Sequence, residues 1–396
     1  MKKQDAKKEY LLLLLGSVLI AVLCGGVGAL FSYTLKLSNL AFEKFNWLIF
    51  LLPIGGILTV LLFNVLGLSG KNIHTVFLDV KNDGETPFLL SIAVFLGTAV
   101  TQLFGGSAGK EGAALQIGSG ISSPIAHWLG LHRQNHKALL LCGMSAVFSS
   151  VFTTPLTALA FGLEIVYISR KFYFKAVLPL FISSFGAYGI ARLLGVHPER
   201  FSYIPLPKFS ASVFLKSATI VLICAVGCIA FCLAIHVVCL LFDKLFKKAY
   251  LRITIGGVLI ILLTVLVGNT DYNGGGMAVI ERVLKTGATV YWAFALKILF
   301  TSITNAAGFK GGEIVPALFV GATLGAAVGS LLGVSPIFAA ALGMITLFSG
   351  STKCTVAALM LGVELFGLQG AGYFALAAVL SRAVTAKIGL YTHGEN

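Results

Sequence analysis

Apolar residues run along this chain in long blocks. Tyr10 to Phe31, Trp47 to Leu68, Pro87 to Phe104, Val213 to Phe242 and Ile253 to Val267 are predominantly hydrophobic, and most approach or exceed the ~20 residues that cross a bilayer as helix. Leu139 to Val166 and Phe338 to Phe366 are also apolar but are cut by Gly, Ser, Thr and Pro. A lipid-facing helix gains nothing from such residues, whereas closely packed or discontinuous helices use them. The pattern predicts a compact all-α integral membrane bundle with broken helices.

The pattern repeats at a constant offset. Gly105-Gly-Ser-Ala-Gly-Lys-Glu-Gly-Ala-Ala-Leu-Gln-Ile-Gly118 is echoed by Ala307-Gly-Phe-Lys-Gly-Gly-Glu-Ile-Val-Pro-Ala-Leu-Phe-Val-Gly321, which places Lys110 and Lys310 200 positions apart. The same offset relates Gly143–Ser149 to Gly343–Ser349 and Ala158–Glu164 to Ala358–Glu364. Two halves that each carry glycine-broken backbone and ionisable groups at hydrophobic depth are what a repeat-built transporter needs, because its ion site forms where broken helices converge. One membrane domain over 1–396 is expected, with repeats at about 10–200 and 210–390 and no soluble regulatory domain at either end.

Composition sharpens this. With 57% hydrophobic and 11% charged residues and a mean hydropathy of +0.95, the chain is far from the quarter-charged surface of a soluble domain. The net charge of +14 comes from Lys and Arg scattered over loops and helix ends, so nucleic acid is not an expected partner. Its use is orientation: basic loops stay cytoplasmic, which puts Met1 to Lys8, Arg170 to Lys175 and Lys244 to Arg252 on that side. The first apolar run is too long for a signal peptide and lacks a small-residue cleavage site, so it is read as a retained helix. A bacterial inner (plasma) membrane with both termini cytoplasmic is the expected location. Cys224, Cys228, Cys232 and Cys239 fall at helical spacing in one apolar run, where thiols pack as small hydrophobes, and no metal or cofactor is expected. The spacing Gly321, Gly325, Gly329 reads as close helix contact.

The acids carry the chemistry. Among only 15 acidic residues, Glu111, Glu164, Glu313 and Glu364 lie in apolar surroundings, where a charge costs at least ~2.5 kcal/mol and marks either an ion or proton path or a specific partner. Glu164 and Glu364 each end a Gly-x-Glu and are read first as acceptors of backbone N–H bonds near helix ends. Glu111, between Gly109-Lys110 and Gly112, sits where the backbone can stop being helical and aim amides at an anion. A carboxylate that fills such a site when charged and leaves it when protonated couples anion to proton movement. Glu313 stands in a second such turn before Pro316, as a helix cap or as a transport acid, and Gly67-Leu-Ser-Gly-Lys-Asn72 is a third. Three converging turns would make a dehydrated site for a small anion.

At these residues the chain resembles the CLC anion channels and anion/proton antiporters. Gly109-Lys110-Glu111-Gly112-Ala113 is similar to the family's Gly-Lys/Arg-Glu-Gly-Pro, Gly312-Glu313-Ile314-Val315-Pro316 to its Gly-x-Phe-x-Pro, and Ser69-Gly70-Lys71-Asn72 loosely to its Gly-Ser-Gly-Ile-Pro. Tyr391, in Gly389-Leu390-Tyr391, resembles the tyrosine that faces the central anion. The resemblance implies two inverted-topology repeats, a homodimer with one pathway per subunit, Glu111 as external gate and proton carrier, and Lys110 as a source of positive potential. It implies anion contacts from Ser69, Gly70, Asn72, Gly109, Lys110, Gly112, Ile314, Val315 and Tyr391.

Departures bear on substrate. Chloride antiporters of the family carry an inner proton glutamate one residue after the position of Glu164, and here that residue is Ile165. Either no proton is coupled or another acid, Glu313 being the nearest candidate, serves. The Phe309-Lys-Gly-Gly-Glu313 run is similar to the fluoride/proton antiporter branch, although Val315 stands where that branch often has threonine. Secondary transport of a halide, fluoride ahead of chloride, in exchange for protons is therefore expected. A passive anion channel is the rival. An enzyme is not expected: His-Glu-x-x-His, Gly-x-Ser-x-Gly and clustered His are missing from the sequence.

Overall fold

The computed structural model describes residues 3–82, 84–166, 170–198, 204, 206–208 and 210–391. Among them the chain forms α1 (Lys3–Lys44), α2 (Leu52–Val65), α3 (Ile73–Lys81), α4 (Phe88–Leu103), α5 (Glu111–Trp128), α6 (Arg133–Phe152), α7 (Pro155–Glu164) and α8 (Arg170–Leu193). The second half follows with α9 (Ala211–Leu245), α10 (Ala249–Val267), α11 (Met277–Thr286), α12 (Ala293–Ala307), α13 (Ile314–Leu331), α14 (Pro336–Thr352), α15 (Thr355–Phe366) and α16 (Ala371–Thr385). No strand occurs among the described residues, and six helices are long and apolar enough to cross a membrane. The expectation for the chain ends falls on residues 1–2 and 392–396, outside the described residues.

The apolar runs break where the sequence supplies a reason. Trp47 to Leu68 is not one helix: a 3-10 turn, Asn46–Leu51, precedes α2, and Pro53, which lacks an N–H, sits in α2's first turn where none is needed. Leu139 to Val166 divides at Thr153, a left-handed residue (φ 58°) between α6 and α7, and Phe338 to Phe366 divides at Lys353 (φ 66°) between α14 and α15. Those two breaks are 200 residues apart.

The chain forms two compact units, one of Met1–Lys36, Leu62–Leu96 and Gly112–Glu199, the other of Leu37–Leu61, Gly97–Glu111 and Arg200–Asn396. In the first, α6 packs on α7 and α8, and it meets α5 so closely that a side chain on Gly118 would run into the Gly143 carbonyl. In the second, α13 packs on α14 in the same manner, with Gly321 against the Gly343 carbonyl and Gly325 against that of Ala339. This is the contact the Gly321, Gly325, Gly329 spacing implies. Buried serines repeat too: Ser149 Oγ donates to the Ser184 carbonyl (2.7 Å) and Ser349 Oγ to that of Ala378 (2.8 Å). Cys224, Cys228 and Cys232 are buried in α9, which packs on α12, α14 and α16.

The backbone contact at Gly343 has no room to relax. Gly343→Leu should destabilise the protein by about 1–3 kcal/mol or more through overpacking. Gly26→Ala, at a helical glycine with open space around it, should instead be neutral or stabilise by up to about 1 kcal/mol. Thermal unfolding of the purified variants in detergent checks both signs.

Candidate functional site

Two broken-helix turns meet inside the second unit. Residues 104–110 leave the helical path between α4 and α5, and residues 308–313 do so between α12 and α13. The turns exchange an antiparallel pair of backbone hydrogen bonds: Gly109 N–H donates to the Gly312 carbonyl (2.6 Å), and Gly312 N–H to the Gly109 carbonyl (3.0 Å). Close approach demands glycine here. A side chain on Gly311 would collide with Ala108, and one on Gly109 with the Glu111 carboxyl group.

Neighbouring helices satisfy much of the first turn. Ser107 N–H donates to Thr304 Oγ1 (3.1 Å), its hydroxyl pairs with that of Thr301 (3.1 Å), and Gly106 N–H donates to the Thr101 carbonyl (2.8 Å). Asn273 Nδ2 donates to the Gly105 carbonyl (2.7 Å). The backbone is thereby fixed without being helical, as non-helical chain at membrane depth must be.

Glu111 opens α5 and is fully buried. Its carboxyl group turns back against Gly109, where the amides of Lys110, Glu111 itself and Val315 face it. Neither carboxyl oxygen gains a hydrogen bond of good geometry. Donors from two turns thus surround a negative group without locking it, at the positive end of a helix. Lys110 is half-buried, and its charge acts on the same carboxylate.

Glu313 occupies the N-cap position of α13 but makes no side-chain cap bond. It accepts instead from Asn305 Nδ2 (2.7 Å), and its Oε2 is shut off from solvent. The reading of Glu313 as a side-chain cap therefore lacks its hydrogen bond. Ile314 and Val315 are buried in the first turn of α13. The Tyr391 side chain lies beside Glu313 and within the electrostatic reach of both Glu313 and Glu111. The bond from Leu390 N–H to the Ser351 carbonyl (2.8 Å) fixes its approach.

Of the residues singled out from sequence, the second unit brings together Gly109, Lys110, Glu111, Glu313, Ile314, Val315 and Tyr391, and Gly112 follows Glu111 in the chain. Ser69, Gly70 and Asn72 belong to the first unit. There Asn72 caps α3, accepting from Thr75 N–H (3.0 Å) while Thr75 Oγ1 accepts from Asn72 N–H (3.1 Å), and Ser69 Oγ donates to Asn64 Oδ1 (2.6 Å). Sequence reasoning passed over Lys297 and the Asn273–Gly276 connection. The available signals were a lone lysine within the apolar run of α12 and three consecutive glycines. Among the described residues no group of three or more His, Cys, Asp or Glu could hold a metal ion.

A family model described as voltage gated chloride channel matches residues 67–386. The chain is 29% identical over 384 residues to a "Chloride/fluoride channel protein" of Pseudomonas syringae pv. tomato, covering 94% of this chain and 84% of that one. Its fold matches the crystal structure of a CLC-type fluoride/proton antiporter with a TM-score of 0.92 at 30% identity, over 99% of this chain and 98% of the other. A slow cyanobacterial Cl-/H+ antiporter shares the fold at a TM-score of 0.81 and 18% identity, over 96% of each chain. The match of most of the chain to the family model, together with the glycine-bridged turns that carry Glu111 and Glu313, establishes that this integral membrane protein belongs to the voltage gated chloride channel, or CLC, family.

Proposed function

We propose that the protein exchanges a small halide, fluoride in preference to chloride, for protons across a membrane, with Glu111 as gate and proton carrier. One observation carries this reading: the buried Glu111 carboxyl group faces the backbone amides of Lys110, Glu111 and Val315, donors of the kind an anion needs. When charged, the carboxylate fills the pocket. When protonated it loses that attraction and yields to an anion, so each proton bound admits a negative charge. The similarity to a CLC-type fluoride/proton antiporter supports the exchange.

Fluoride is favoured because a second acid borders the site. Hydrogen fluoride is a weak acid, so a protonated Glu313 can donate a hydrogen bond to fluoride or pass it a proton, with Asn305 holding the carboxyl group and Tyr391 beside it. Glu313 then serves where Ile165 leaves the inner position without an acid. The name of the Pseudomonas relative supports the rival reading of a passive channel. It keeps the same pathway and loses only obligatory coupling.

The topology follows from charge. Lys247, Lys248 and Arg252 cluster at the start of α10, a helix long enough to span, and the 268–276 connection lies at its far end. With the basic end cytoplasmic, this connection and the Glu111 turn it touches open outward. The two halves are inverted repeats, about 10–200 and 210–390, and the assembly is a homodimer with both chain ends cytoplasmic in a bacterial inner membrane.

Reconstitution in liposomes, with fluoride and chloride electrodes and an internal pH dye, tests the exchange. An imposed fluoride gradient should drive protons, and chloride should drive fewer. Glu111→Gln should abolish the proton flux while leaving some anion flux, because glutamine keeps the shape and cannot titrate. Unchanged proton flux in that variant removes Glu111 as carrier.

Glu313→Ala should lower fluoride-driven proton uptake by about a hundredfold, the low end of what a positioned proton-transfer group contributes. Stability should fall by only about 1 kcal/mol, from the loss of the Asn305 hydrogen bond. Normal uptake per folded protein in this variant would refute the transport role, whatever its melting temperature.

A further inference from the structure

Lys297 is fully buried in α12, and neither the Glu111 gate nor its pocket of amides draws on it for a hydrogen bond. A lysine at hydrocarbon depth is costly unless its hydrogen bonds and its charge are both answered. Its Nζ donates to the carbonyls of Tyr272 (3.0 Å) and Gly274 (2.7 Å) and lies over the Phe319 ring, 5.3 Å from its centroid. These neutral partners satisfy donors. They do not answer its charge, and Glu111 lies within its electrostatic reach.

The carbonyls belong to the connection between α10 and α11, which touches both site turns. Asn273 holds the Gly105 carbonyl, and Gly275 packs against Val315, Ala108 and Gly109. Gly276 is left-handed (φ 87°), and a side chain there would strike Phe319. Lys297 is thus tied by hydrogen bonds to a strap lying against the gate turn, with its charge inside the gate's field.

We infer that Lys297 is the fixed counter-charge of the exchange site, balancing whichever negative group occupies it, the Glu111 carboxylate or the transported anion. This deepens the reading of Glu111 as the gate and rests on it. When a proton neutralises Glu111, Lys297 becomes uncompensated, and the arrival of an anion restores the balance. Proton loading and anion binding are then linked by charge as well as by competition for space. Lys297 does not itself carry the proton. It acts through the pocket.

The alternative is that Lys297 only staples the strap. Lys297→Gln separates the two, since an amide N–H₂ keeps two donors for the two carbonyls and removes the charge; Lys297→Met, which removes both, is the second variant. As counter-charge, Lys297→Gln should raise the fluoride concentration for half-maximal uptake by about tenfold, worth 1.4 kcal/mol of binding, with a smaller change in maximal rate. An unchanged half-saturating concentration in Lys297→Gln overturns the proposal.

Melting temperatures of the wild type, Lys297→Met, Glu111→Gln and the double variant form a cycle that needs no transport. Coupled charges predict that Lys297→Met lowers the melting temperature more in the wild-type background than in the Glu111→Gln background, where the lysine has lost its partner. Equal losses in both backgrounds also overturn the proposal. If wild-type liposomes move no protons with fluoride, the exchange reading falls, and the cycle still decides whether Lys297 and Glu111 are coupled.

Discussion

The pair of hydrogen bonds between Gly109 and Gly312 (2.6 and 3.0 Å) is the interaction on which the site depends. A broken helix exposes amides and carbonyls that hydrocarbon cannot satisfy, at several kcal/mol for each unmet group. Here two breaks answer one another, and Thr301, Thr304 and Asn273 take up further groups of the first turn. The amides of Lys110, Glu111 and Val315 are left facing a carboxylate. The bridge holds them in place in advance, so little reorganisation is needed for them to act on a negative group, the condition under which fixed donors act most strongly.

Glycine is what allows the bridge to form. A side chain on Gly311 would meet Ala108, and one on Gly109 would displace the carboxyl group of Glu111. The same economy recurs where α5 crosses α6 and α13 crosses α14, because the carbonyl of Gly143 or Gly343 lies where a side chain would otherwise stand. Close crossings bury much of the second half's helices. α13 is enclosed almost from end to end, and the bridged turn just before it is therefore set on a rigid element.

These relations explain what could be read from the sequence. The paired glycine-rich stretches located both breaks, and α5 and α13 begin at Glu111 and Ile314, within the motifs that marked them. The offset of 200 recurs in the interruptions at Thr153 and Lys353. Lys297 was illegible for a physical reason. Within α12 it looks like any lysine that could reach a membrane interface, and its acceptors lie 23 and 25 residues earlier, on a connection whose path the local sequence does not fix. Glu313 was ambiguous because a residue at the N-cap position can bond either to its own helix or away from it; only the position of Asn305 shows that it bonds away. The start of α3 was legible in a different sense. Asn72 and Thr75 form a capping box from purely local sequence, so the pattern there records a helix start whether or not an anion approaches it.

The placement of charge gives the site its asymmetry. Glu111 stands two residues after Gly109 and Glu313 one residue after Gly312, so the bridge that joins the turns also fixes two acids on adjoining stretches of backbone. Their surroundings differ. Glu111 has loosely facing amides and the charge of Lys110 acting on it, and the buried Lys297 lies within its electrostatic reach. Glu313 has the Asn305 carboxamide as its hydrogen-bond partner and the Tyr391 phenol beside it, neutral groups that serve a protonated and an ionised carboxyl group alike. An acid among cations is suited to competing with an anion, and an acid among neutral hydrogen-bonding groups is suited to holding and releasing a proton. On the proposed reading, pairing the two across one backbone bridge supplies both functions of an exchanger without an acid at the position of Ile165.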